Sequence, residues 1–137
     1  MSNPNITPEM EVEAKRHQEL TSEIQDMQKG RQKQLSQLNE NTMVKQELDL
    51  IAGDTAVVYK KIGPTLVKQD LEQAKQWVSK RIEFVESRIK QVDAAVQAKR
   101  EEVMKVEDRV GKMQAAQQAK MQAQQEAAQK RAAADDE

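Results

Sequence analysis

Cysteine is absent from this sequence. That excludes disulfides and thiolate metal sites, and it fits a reducing compartment. Aromatic side chains are almost absent: one Trp, one Tyr and one Phe among 137 residues, too few to fill a core of ordinary thickness. Glycine (4) and proline (3) are scarce, so little interrupts helix. Neither sign of charge dominates, since 22 basic residues offset 23 acidic ones. The balance removes the strong net charge of a disordered chain and leaves no basic stripe for nucleic acid. No apolar run approaches membrane-spanning length. The polar segment Met1–Glu11, with two prolines, lacks the apolar core of a signal peptide. The expectation is a cytoplasmic protein with neither membrane nor nucleic acid as a partner.

Gln (19) and Ala (16) are abundant instead, so long helices that bury narrow stripes are the natural state. The first helix is predicted over residues 8–52, with 1–7 disordered. Thr7 is placed to cap it, Pro8 suits its first position, and Glu9 complements the positive end of the dipole. Met10, His17, Leu20, Ile24 and Met27 recur in steps of mostly three and four. The steps to Arg31 and Leu35 are two successive fours, a stutter that unwinds a coiled coil locally. Val44, Leu48 and Ile51 continue the stripe, and Gly53 suits a left-handed helix end. Between residues 55 and 68 the period changes. Val57, Val58, Tyr59, Ile62, Thr65 and Val67 are strand formers around the turn pair Gly63-Pro64, which predicts a β-hairpin. A lone hairpin is marginal in water. No other segment reads as strand, so the missing strands should come from other subunits.

The second helix is predicted over 70–131, opened by the capping-box-like Asp70-Leu71-Glu72-Gln73. Its seam reads Ile82, Val85, Ile89, Val92, Val96, Lys99, Val103, Val106, Val110 and Met113, in alternating steps of three and four. Lys99 should send its ammonium outward along an apolar stem. From Gln114 to Ala134, 16 of 21 residues are Gln or Ala, a solvated overhang. The acidic end, residues 132–137, sits where a helix dipole disfavours negative charge and is predicted disordered. The two helices should fold back on one another with partner numbers summing to about 120, because both rise equally per residue. Leu48 then faces Leu71, and Met10 faces Val110.

Catalytic chemistry finds no support. The single histidine, His17, has no cysteine companion and belongs on the seam. Serines 22, 36, 79 and 87 lack a histidine base at any recognisable spacing, and the four glycines form no phosphate loop. No enzyme activity, cofactor or metal is expected. Trp77 should pack where helix and hairpin meet.

The blocks GRQKQLSQLNENTMVKQELDLI (Gly30–Ile51), VVYKKIGPTLVKQDLEQAK (Val57–Lys75) and RIEFVESRIK (Arg81–Lys90) resemble the β class of prefoldin subunits. The likeness covers about residues 10 to 115. Lys61 departs from it, standing where the family usually has an apolar residue. The first ten residues and the Gln/Ala tail match no motif of the family. The resemblance implies a mainly α subunit, a coiled-coil helical hairpin whose central β-hairpin joins an inter-subunit β-barrel, in a heterohexamer of α- and β-class subunits. It further implies ATP-independent capture of unfolded actin and tubulin and their transfer to the cytosolic group II chaperonin. The alternative is a coiled-coil adaptor that holds no unfolded chain. Under the first reading, Val57, Val58, Tyr59, Ile62, Leu66 and Val67 are expected to contact other subunits. Met10, Val12 and Leu20 on helix one, with Val103, Val106, Val110, Met113 and Met121 on helix two, are expected to meet the client.

Overall fold

The structure, a computed structural model, describes residues 5–51 and 57–136. Four elements follow in order: α1 (Pro8–Leu50), β1 (Val58–Ile62), β2 (Thr65–Gln69) and α2 (Leu71–Asp135). The start of α1 is the predicted one. Thr7 Oγ1 accepts a hydrogen bond from the Met10 amide at 3.2 Å, and its carbonyl accepts the first helical bond from Glu11. α1 ends at Leu50 rather than 52, and the predicted cap Gly53 lies outside the described residues. α2 opens one residue later than predicted, with the Asp70 carbonyl accepting from the Ala74 amide at 2.9 Å. It closes later too, at Asp135 rather than 131. Ala132–Ala134 are the strongest helix formers available, and their propensity outweighs the unfavourable charge at the end.

The chain divides into two compact units. The first comprises residues up to Ile24 together with Gln97 onward. Its α1 and α2 segments run antiparallel, as the ion pairs Glu13–Arg109, Arg16–Glu102 and Glu23–Lys99 require, falling on one helix as they rise on the other. Each pair lies within a few residues of the predicted register. Leu20 (0% exposed) and Val106 (1%) form the driest part of the seam, with Met10 also buried. Burying such side chains contributes about 1.5–3 kcal/mol each. Lys99 behaves as predicted, carrying its Nζ out to Glu23 Oε2 at 2.5 Å.

The second unit, Gln25–Val96, holds the hairpin. Here Leu48, Ala74 and Val78 form a buried cluster with Val58, Leu71 and Ile82 packed against it. Val85 and Ile89 continue the buried seam of α2. Arg31 Nε reaches Asp93 Oδ1 at 2.6 Å across the helices. Val44, predicted on the α1 stripe, is exposed instead. Asn41, Thr42 and Leu48 take the covered positions, because Val44 stands six residues past half-buried Leu38, about 240° around a helix of 3.6 residues per turn.

β1 and β2 pair antiparallel from Val58 opposite Gln69 to Ile62 opposite Thr65. Gly63 between them has φ +59°. A positive φ followed by proline, whose φ is locked negative, suits the hairpin turn that takes glycine at its first central position. Alternation puts Val58, Lys60 and Ile62 on one face with Val67, and Val57, Tyr59 and Lys61 on the other with Leu66. The first face turns inward: Val58 packs on the cluster, and Lys60 Nζ sits 4.3 Å from the Trp77 ring centre. Trp77 thus stands where helix meets hairpin.

Candidate functional site

Two regions carry surface that a helical hairpin does not need for its own folding. The first is the outer face of the β-hairpin. Val57, Tyr59 and Leu66 are exposed on it, and Ile62 and Val67 are exposed near the turn. Lys61 and Lys68 flank them. The α1 end in the same unit adds Met43, Leu50 (83% exposed) and Ile51. Isolated exposed apolar residues are ordinary, but a group of this kind beside an unpaired strand edge marks an interaction surface. Five of the six residues expected to contact other subunits are therefore open. Val58 is the correction, because strand alternation turns it onto Leu48, Ala74 and Val78.

The second region lies in the first unit, where residues near the start of α1 oppose the C-terminal part of α2. An open groove of about 610 Å³ is lined by Ile6, Met10, Gln114, Gln117, Gln118 and Met121, with Asn5 at its side. A neighbouring groove of about 450 Å³ shares Met10, Gln117 and Met121 and adds Met113 and Lys120. A third, of about 340 Å³, runs past Ala14, His17, Val106, Val110 and Gly111. Methionine walls suit varied apolar partners, since the thioether chain is unbranched and polarisable.

Of the eight residues expected to meet a client, Met121 and Val12 are exposed, and Val103, Val110 and Met113 are half-buried. Met10, Leu20 and Val106 are buried in the seam, where facing apolar side chains exclude water, although Met10 and Val106 also line the grooves. Val12 points away from α2 rather than toward it, with 67% of its surface exposed. Sequence reasoning missed Ile6, Gln114 and Gln117. For Gln117 the signal was there in the spacing, because Met113–Gln117–Met121 step by four on one face of α2.

Ion pairs border this region. His17 Nε2 lies 3.1 Å from Glu107 Oε1, and Arg109 Nε lies 3.2 Å from Glu13 Oε1. Nearby, the hydrogen bond and charge of Lys99, helped by the charge of Arg16, hold the Glu23 carboxyl below its ordinary pKa. In the second unit, the hydrogen bond to Asp93 and its charge raise Arg31. Such pairs select register more than they add stability. Among the described residues, no cluster of three or more His, Asp or Glu could hold a metal ion, and no helix is long and apolar enough to cross a membrane.

A prefoldin subunit family profile matches residues 11–117. The chain is 43% identical over 122 residues to the probable prefoldin subunit 6 of Caenorhabditis briggsae, covering 83% of this chain and 94% of that protein. It is 47% identical over 92 residues to prefoldin subunit 6 of Arabidopsis thaliana, covering 62% and 70%. In fold it is similar to the prefoldin beta subunit from Thermococcus strain KS-1, with TM-score 0.72 and 23% identity over 80% of this chain and 94% of that one.

Proposed function

The chain belongs to the prefoldin subunit family and is a non-enzymatic subunit of a co-chaperone complex, and from that premise we propose what it holds and where. It captures unfolded polypeptides of the actin and tubulin class in the cytosol, without ATP, and passes them to the group II chaperonin. Other prefoldin subunits complete its assembly. The outer face of the β-hairpin, with Val57, Tyr59 and Leu66, makes those contacts together with Ile62 and Val67 exposed near the turn, because main-chain pairing at an open sheet edge joins subunits.

One observation carries the client assignment: the adjoining grooves walled by Ile6, Met10, Met113 and Met121, open to solvent and set among glutamines. Each groove is open to solvent and offers few apolar side chains, so each contact is weak. Several copies of such a site gripping one unfolded chain raise its effective concentration, and avidity exceeds a single contact by ~10²–10⁴. Weak single contacts also permit release. The reading is tested by placing a photo-crosslinking residue at position 121 in the assembled complex and adding denatured actin. Crosslinks should form at 121 and not at the exposed control position Glu86. Equal labelling at both positions would remove the assignment.

A further inference from the structure

A third surface remains, in the second unit, which neither assembly through the hairpin nor client capture uses. On α2, Trp77, Arg81, Phe84 and Arg88 follow in steps of four, three and four, so they form one ridge along the helix. All four are exposed. Phe84 is flanked by guanidiniums, with Arg81 Cζ 5.9 Å and Arg88 Cζ 5.3 Å from its ring centre. Beside it, Arg81, Phe84, Val85 and Arg88 face Gln34 and Gln37 of α1 across a groove of about 410 Å³.

The charges of this groove are uncompensated. Arg16, Arg31 and Arg109 each reach a carboxylate, whereas Arg81 and Arg88 reach only a ring among the described residues. The Gln34 side-chain oxygen is buried without a hydrogen-bond partner there, so this amide is not committed within the fold. Lys60, over Trp77, extends the positive ridge toward the hairpin. A guanidinium drawn to an aromatic ring by the cation–π attraction still has its N–H groups free. That geometry receives a carboxylate in a bidentate pair.

We propose that this groove docks an acidic peptide segment of a protein outside the subunit assembly, its carboxylates on Arg81 and Arg88 and an apolar side chain on Phe84. The composition argues for a transient visitor. Permanent subunit interfaces resemble a core cut in half, whereas this lining is two arginines, two glutamines, one aromatic anchor and a single valine. Arginine and aromatic residues are the types that carry binding energy in such contacts.

The test uses the assembled complex and a fluorescent fifteen-residue peptide of glutamate and leucine, against the same peptide with lysine for glutamate. The acidic peptide should bind, more weakly as salt rises, and the basic one should not. Arg81→Glu with Arg88→Glu should weaken binding by about tenfold or more, and Phe84→Ala should weaken it too. Client capture should stay unchanged in both, which separates this groove from the client surface. If the charge reversal blocks assembly, Arg81→Gln with Arg88→Gln becomes the deciding variant. A complex carrying the neutral pair that binds the acidic peptide as tightly as the original overturns the proposal. So does a neutral pair that also fails to assemble, because the groove is then an interface between subunits.

Discussion

The helical seam of the first unit and the β-hairpin end of the second treat their large apolar side chains in opposite ways. In the first, Leu20 and Val106 vanish into the seam, and charged pairs such as Arg16–Glu102 and Glu13–Arg109 line its margins. In the second, a small cluster of Leu48, Ala74 and Val78 is buried, while Leu50, Tyr59, Ile62 and Leu66 stay in water. Helical segments can satisfy every backbone group and bury a stripe against one partner. A two-stranded hairpin cannot, since each strand keeps an unpaired edge and one face. Completeness within one chain thus belongs to the helices. The need for other chains belongs to the hairpin.

The largest expected effect tests that division. Tyr59→Asp with Leu66→Asp puts charge on the outer face and should abolish assembly, seen by size-exclusion chromatography, while circular dichroism retains most of the helix. Val58→Asp should behave differently, because it buries a charge against Leu48 and Val78 and costs the subunit itself on the order of several kcal/mol. Equal helix loss in both variants would erase the distinction between the two hairpin faces.

Next in size is the seam. Leu20→Ala leaves a cavity in the driest part of the first unit and should cost about 2–5 kcal/mol. Its readout is a lower melting temperature of the complex with subunit stoichiometry unchanged. A smaller effect is expected where helix and hairpin meet. Lys60→Ala removes the cation from Trp77 and should cost about 0.5–1 kcal/mol, with a change in Trp fluorescence as a direct signature.

The smallest effect is that of pH on the Glu23–Lys99 pair. The Glu23 carboxyl is held below its ordinary value by the Lys99 hydrogen bond. The unfolded chain therefore binds the proton more readily than the folded one. The pair's contribution is present above the unfolded carboxylate pKa and is lost as pH falls through the lowered one. Glu23→Gln should flatten this part of the acid-stability profile. An unchanged acid limb would show that the pair sets register and adds no stability.

Much of this architecture was legible because its causes are local. The α2 seam from Ile82 to Met113 was readable from its spacing, and none of its ten positions is exposed. Thr7-Pro8 announced the start of α1, and Gly63-Pro64 announced the turn. The site was less legible. Val12 and Leu20 are both apolar residues early in α1, yet one is exposed and the other buried. Their difference is rotation about the helix axis, about 80° over the eight residues between them at 3.6 residues per turn. Ile6 and Gln117 entered the groove lining unpredicted, because one precedes the helix and the other is polar.

By itself the sequence determined two long helices, one hairpin between them, the α2 seam and the absence of an ordinary core, since composition, period and turn chemistry act within a few neighbouring residues. The tertiary structure alone decided which hairpin face Val58 takes, that Val44 turns outward, and that Arg16, Arg31 and Arg109 find carboxylates while Arg81 and Arg88 find none among the described residues. Those outcomes depend on how segments distant along the chain are brought side by side. A charge or a methyl group meets its partner only after the helices have chosen their register.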